Sequence, residues 1–211
     1  MSTSPVNLSP ARVILLCGPS GSGKSTLAER AGLPVLQLDD FYKDGDDPTL
    51  PRLQDGSVDW DDPRSWHFDQ AMAAIRSLCD TGTADVPVYS IPANGAVGSR
   101  TQTVDTQVFI AEGIFAAEIV RACEAEGLLA DAICLRNHAL TTAYRRFLRD
   151  VREARKSVPY LLRRGYRLMR TERAVVTRQK DLGATPCNGR EAFARVARQG
   201  REELRAQPAA A

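Results

Sequence analysis

Four short apolar runs punctuate the chain: Val13 to Cys17, Val35 to Leu38, Val108 to Ala111 and Ala132 to Leu135. They are nearly continuous rather than alternating, which is the pattern of strands covered on both faces. Between them the spacing changes to a helical period. Thr26–Ala31 reads as a helix that Gly32-Leu33-Pro34 ends. Ser65 to Cys79 is a second helix, with Phe68, Met72, Ile75 and Leu78 or Cys79 on its inner face. Phe115 to Ala125 is a third, with Ile119, Val120 and Cys123 inward. Residues 160–180 are also helical, and an arginine-rich helix runs from Gly189 to Ala206. Strands alternating with helices predict an α/β fold, a five-stranded parallel sheet between helices.

The remaining segments break the pattern. Met1 to Arg12 is expected to be a loose arm and residues 207–211 a loose tail. Lys43 to Pro63 is a long acidic loop, and loops of that length in compact domains are usually functional or disordered. Val86-Pro87-Val88-Tyr89 is a short extended piece that its proline confines to an edge. Ile91 to Thr103 reads as a polar loop and Gly183 to Pro186 as a turn. Thr141 is placed to cap a helix whose continuation, residues 145–156, is densely basic. The expected organisation is one domain, with a helical lid near residues 145–165.

The first apolar run leads directly into Gly18-Pro19-Ser20-Gly21-Ser22-Gly23-Lys24-Ser25, and a helix follows. This is the phosphate-binding pattern of a glycine, four residues and Gly-Lys-Ser/Thr, in its strand–loop–helix setting. Glycines let the backbone curl so that several N–H groups converge on one phosphate, and the helix N-terminus adds partial positive charge. Gly18, Ser20, Gly21, Ser22, Gly23, Lys24, Ser25 and Thr26 are therefore the candidate nucleotide-binding residues. Lys24 reaches the β- and γ-phosphates, and the Ser25 hydroxyl ligates Mg2+.

Two carboxylates follow the same logic. Asp39 leaves the second strand at the end where open parallel sheets bind ligands. It is a candidate general base near Mg2+, or else a turn cap; its neighbour Asp40 competes for the same role. Glu112 ends an apolar strand, where a carboxylate is costly without a partner; hydrated Mg2+ is the natural one. Ser25, Asp39 and Glu112 thus form the candidate metal set. The Arg145–Lys156 segment is either a solvated helix face or a lid that neutralises charge on a transferring phosphoryl group.

Composition narrows the class. Hydrophobic residues make up 43% and charged residues 26% of 211 positions, values of an ordinary globular protein. A net charge of +2 gives no electrostatic case for nucleic acid. No apolar run approaches the roughly 20 residues of a membrane span. The five cysteines are scattered without metal-ligand spacing, and no secretory signal is visible, so free buried thiols in a cytoplasmic protein are expected. A homo-oligomer is compatible with all of this.

These residues resemble the uridine kinase family of phosphate-loop kinases, which lies near phosphoribulokinase and bacterial pantothenate kinase. The resemblance runs from about Val13 to Pro186. Asp39-Asp40-Phe41-Tyr42 is similar to the family's Asp-x-Phe-Tyr, and Trp60-Asp61-Asp62-Pro63 to its Phe-Asp-x-Pro. Pro87-Val88-Tyr89 with Arg100 looks like its Pro-x-Tyr and following arginine, and Glu112-Gly113-Ile114 like its Glu-Gly-Ile. Arg145-Arg146-Phe147-Leu148-Arg149-Asp150 looks like the start of its lid. The resemblance implies Asp39 as base, Asp61 on the ribose hydroxyls, Tyr89 near the nucleobase, Glu112 at the metal, and Arg146 and Arg149 at the phosphates. Lys24, Asp39 and Arg149 would be catalytic; Tyr42, Asp61, Tyr89 and Arg100 would bind the acceptor.

The chain departs from the family where an aromatic and a histidine would approach the base: Ile91 and Asn94 stand there, Ile91 as an apolar wall. The implied activity is ATP- and Mg2+-dependent phosphorylation of a small-molecule hydroxyl, the 5′-hydroxyl of a pyrimidine ribonucleoside. A kinase for another small alcohol or sugar, or a regulatory ATP-binding protein, is the alternative. If Asp61 binds a ribose diol, 2′-deoxy substrates should be rejected strongly.

Overall fold

The computed structural model describes residues 10–136 and 173–206, with side chains through residue 201. The expected lid, Arg146, Arg149 and the Thr141 cap lie outside the described residues.

Strand β1 (Arg12–Cys17) runs down the middle of a five-stranded sheet. Helix α1 (Lys24–Ala31) connects it to β2 (Val35–Gln37) at one edge. After a long connection come helix α2 (Phe68–Thr81), β3 (Thr83–Ser90) and β4 (Gly95–Thr103). The chain then re-enters the sheet as β5 (Val108–Glu112), between β2 and β1. A 3₁₀ turn, Ala116–Ile119, passes into helix α3 (Val120–Ala125) and strand β6 (Leu129–Leu135). Residues 173–181 form helix α4; β7 (Thr185–Cys187) and helix α5 (Gly189–Ala206) follow. The order is β2-β5-β1-β6-β7, and every pairing is parallel.

The continuity of the apolar runs has a direct cause. Val13, Leu15 and Cys17 face one layer, with α2 residues Met72, Ile75 and Leu78 and with Ile119 and Cys123. Ile14 and Leu16 face the other, with Leu27 and Ala28 of α1 and Ala192 and Val196 of α5. Asp131 on β6 is held across the second layer by Arg195, whose Nε donates to its Oδ2 at 2.9 Å. All five cysteines are free and buried, as expected.

Several readings are corrected. Ala11 is buried and donates its N–H to Cys79 O at 2.9 Å, and Arg12 already belongs to β1, so the end of the expected arm is fixed in the core. Phe68 is 39% exposed rather than inward, because it lies in the first turn of α2, ahead of the buried stripe. Ile91 to Thr103 is no loop. Residues 91–94 turn the chain, and β4 pairs antiparallel with β3 as a separate two-stranded ribbon. The fifth sheet strand comes from Thr185–Cys187, partly read as a turn; Pro186 is tolerated because β7 is an edge.

Phe109 is fully buried at the centre of the larger layer. Phe109→Ala should cost about 3–5 kcal/mol, read as a lower urea midpoint without a change in slope.

Candidate active site

The C-terminal ends of β1, β2 and β5 meet at one place, and the parallel register decides what they bring there. Glu112 is level with Leu16 on β1 and Gln37 on β2. The phosphate loop starts one residue after β1 ends, and Asp39 lies in the 3₁₀ turn Leu38–Phe41 directly after β2.

The loop is bent as its glycines allow. Gly21 and Gly23 have φ of 78° and 94°, and Gly23 caps α1 in the left-handed region. Gly18 has φ 144°, and a Cβ there would lie 2.5 Å from Leu135 O at the end of β6, so any side chain would push the loop off the sheet. Ser22 and Lys24 are buried, whereas Ser20, Ser25 and Thr26 are exposed at the mouth. The Lys24 ammonium donates to Gly18 O at 3.1 Å and Pro19 O at 3.4 Å, which holds the charge inside the loop. Ser25 Oγ donates to Glu112 Oε1 at 2.7 Å across 87 residues of sequence.

Glu112 is 4% exposed. Burial pushes its carboxyl above the ordinary range, while the Ser25 hydroxyl and the Lys24 charge pull it back. Asp39 opens onto the solvent of the cleft, and its Oδ1 accepts from Ile114 N at 3.3 Å. Desolvation by the surrounding protein raises its carboxyl, Lys24 and the Ile114 N–H lower it, and Asp40 raises it again. Water in the open cleft tempers this shift. Asp40 turns the other way, toward Arg100 on β4, at 3.6 Å. Geometry therefore separates the two aspartates: Asp39 faces Lys24 and the Glu112 turn, and Asp40 faces the ribbon.

The donor set fits a hard divalent cation. Among the described residues no three His, Cys, Asp or Glu side chains form a metal cage. Mg2+ characteristically takes one or two protein oxygens and completes its shell with phosphate and water. Ser25 and Glu112 supply such a pair, with Asp39 at the same mouth.

Beyond Asp39 lies an aromatic wall. The Tyr42 ring is 5.8 Å from Trp60, 6.0 Å from Tyr89 and 5.7 Å from Phe115. Burial, then the charges of Asp39 and Asp61, push the Tyr42 phenol well above its ordinary value. Asp61 is near this wall but exposed, so the strong discrimination expected of a buried acceptor is not built into it. Ile91 is 70% exposed on the ribbon's turn and forms no wall. Asn94 is the turn's left-handed residue, with φ 53°, and its carbonyl accepts from Gly45 N at 2.8 Å.

Sequence reading missed Gln179 on α4. It is 4% exposed; its Nε2 donates to Ile114 O at 3.1 Å and its Oε1 accepts from Cys134 Sγ at 3.1 Å. It thus braces the turn after Glu112 whose N–H meets Asp39. Gly113 in that turn has a similar meaning: a Cβ would be 2.8 Å from Leu38 Cβ and 2.9 Å from Asp39 Oδ1. A polar side chain breaking the apolar face of residues 173–181 was the available signal for Gln179.

Fold and loop together define the class, a phosphate-loop domain built on a five-stranded parallel sheet. The model of the Phosphoribulokinase / Uridine kinase family matches residues 13–181, and the chain belongs to that family. Among solved structures, a "putative fructose transport system kinase" from Silicibacter sp. superposes with a TM-score of 0.59 at 19% identity, covering 82% of this chain and 87% of that one. Phosphoribulokinase from Rhodobacter spheroides gives 0.54 at 13% identity, covering 85% and 70%. At these identities the likeness is one of fold. Two Arabidopsis thaliana proteins, the inorganic pyrophosphatases TTM1 and TTM2, are 33% and 31% identical over 107 residues; the match takes in 48% of this chain and 15% of theirs.

Two outcomes follow. A raised carboxyl binds its proton more tightly in the folded state, so Glu112 makes the ligand-free protein lose stability as pH rises from the ordinary carboxylate range through its raised folded value. Glu112→Gln should remove that dependence and be at least as stable as wild type at pH 8, measured as the difference in Tm between pH 8 and pH 4.5. Gln179→Met keeps the volume but strands the Ile114 carbonyl, and should cost about 1–3 kcal/mol in urea unfolding.

Proposed function

We propose that the protein is an ATP-dependent kinase that phosphorylates a hydroxyl of a small molecule, with a pyrimidine ribonucleoside such as uridine or cytidine as the acceptor. The observation that carries the reading is the convergence of Lys24, Ser25, Glu112 and Asp39 at one mouth of the sheet. The aromatic wall of Tyr42, Trp60 and Tyr89, with Asp61 beside it, supports a flat, hydroxylated acceptor. Family membership supports the kinase reading.

Each residue has a task. The loop N–H groups and Lys24 hold the β- and γ-phosphates, and Lys24 exchanges its contacts with Gly18 O and Pro19 O for phosphate oxygens. Ser25 and Glu112 would hold Mg2+, which when bound neutralises phosphate charge. Asp39 accepts the proton of the acceptor hydroxyl. As that oxygen bonds the γ-phosphorus, the bond to the β–γ bridging oxygen breaks and ADP leaves with the electron pair. Asp39 has the solvent-facing position such a base requires, and the Ile114 N–H steadies its other oxygen. Arg146 and Arg149 belong to the same reading as phosphate ligands of a lid. Arg100, paired with Asp40, borders the acceptor side.

The test is a panel of ATP with uridine, cytidine, 2′-deoxyuridine and fructose, and pyrophosphate alone as a separate arm. Uridine and cytidine should turn over with similar efficiency, and 2′-deoxyuridine only about tenfold worse, because exposed Asp61 keeps water as an alternative partner. Transfer to fructose alone would replace the acceptor and keep the kinase. Hydrolysis of pyrophosphate without transfer to any acceptor would overturn the kinase reading. In the active protein Lys24→Ala should lower kcat by about 10²–10³-fold. Asp39→Asn should lower kcat by about 10²–10⁴-fold with KM for ATP little changed.

A further inference from the structure

The β3–β4 ribbon is poorly anchored by apolar packing. β4 is exposed over nearly its whole length, and Ala84 and Val86 near the far end of β3 are the ribbon's contribution to the core. Its turn is nevertheless fitted closely to the segment that follows Asp39. Asp44 Oδ1 accepts from Ala96 N at 2.8 Å, and Gly45 N donates to Asn94 O at 2.8 Å. The surfaces leave no room between them. A Cβ on Gly95 would lie 2.7 Å from Asp44 Oδ1, and one on Gly45 would run into the Asn94 amide at 1.5 Å. Asn94 takes the left-handed conformation that lets the turn close there.

Two residues before Asp44 stands Tyr42, whose ring meets Tyr89 on the ribbon at 6.0 Å. The clamp and the aromatic contact therefore lie on the same two segments, a few residues apart. We infer that Asp44 is a positioning residue for the acceptor side: by fixing the ribbon's turn to the Asp39–Gly45 segment, it holds Tyr89 against Tyr42 and sets acceptor affinity. This rests on the kinase reading above for its acceptor half alone. Preorganised aromatic surface binds more tightly because its ordering cost is met before the ligand arrives. The loop after β1, on the nucleotide side, is held by other partners: Lys24 donates to Gly18 O and Pro19 O and Ser25 to Glu112, whereas the clamp joins Asp44 to Ala96 and Gly45 to Asn94.

The experiment compares wild type with Asp44→Ala, Asp44→Asn and Gly95→Ala in the full chain, by amide hydrogen exchange and by steady-state kinetics with ATP and uridine. Asp44→Ala should speed exchange at the Ala96 and Gly45 amides and raise KM for uridine, each by about tenfold, the equivalent of one lost hydrogen bond. KM for ATP should stay within about twofold, a split that general destabilisation would not produce. Gly95→Ala, which presses on the same oxygen from the ribbon side, should act in the same way. Asp44→Asn keeps an oxygen acceptor for Ala96 N and should restore both readouts.

Unchanged exchange at Ala96 in Asp44→Ala would overturn the clamp. Asp44→Asn as damaging as Asp44→Ala would overturn it in favour of a purely electrostatic role, and parallel rises in both KM values would overturn the acceptor assignment. If wild type phosphorylates no acceptor, the proposed function falls and the acceptor half of this inference with it; the exchange data still decide the clamp.

Discussion

A carboxylate buried at the end of a central strand is the constraint around which this molecule is arranged. Glu112 is set by the parallel register between β1 and β2, where removing its charge from water would be costly without compensation. Compensation comes from Ser25 Oγ at 2.7 Å and from the nearby Lys24 ammonium, both supplied by the phosphate loop. Loop and carboxylate are thus mutually dependent: the loop's first helical turn gives the carboxylate a hydroxyl donor, and the carboxylate fixes the direction of that hydroxyl.

The turn after Glu112 extends this dependence outward. Gly113 allows Leu38 and Asp39 to approach the backbone, and Ile114 spends its N–H on Asp39 and its carbonyl on Gln179. Gln179 in turn touches Cys134, which is level with Cys17, the residue before the loop. A ring of short contacts therefore joins β1, β2, β5, β6 and α4 around the mouth of the site. It is bought at a cost in stability, since the raised Glu112 carboxyl reports a charge that the ligand-free fold does not fully compensate.

The ribbon side of the cleft follows a different principle. It is assembled from a two-stranded ribbon and a loop that carry little of the core. Local polar contacts hold it: Asp44 with Ala96, Gly45 with Asn94, and Asp40 with Arg100. A phosphate loop tied into the core and a separately fastened ribbon let the second vary without disturbing the first, in keeping with a family that joins phosphoribulokinase and uridine kinase.

What the sequence determined by itself was whatever local chemistry enforces. The strand–loop–helix around Gly18 to Ser25 was legible because glycines at fixed spacing permit one backbone path, and the central strands because burial on two faces demands unbroken apolar runs. Glu112 stood out as a charge where none belongs. Tertiary structure alone decided the rest. β4 was hidden because a ribbon exposed on both faces needs no alternation, although Asn94-Gly95 was a turn signal. β7 was hidden because three residues with a proline become a strand only beside β6. The different directions of Asp39 and Asp40 come from one step of a 3₁₀ helix, a third of a turn, which sends one toward Lys24 and the other toward Arg100. Asn94, Asp44 and Gln179 acquire meaning only through partners 49, 52 and 65 positions away, and such pairings are fixed by packing rather than by any pattern along the chain.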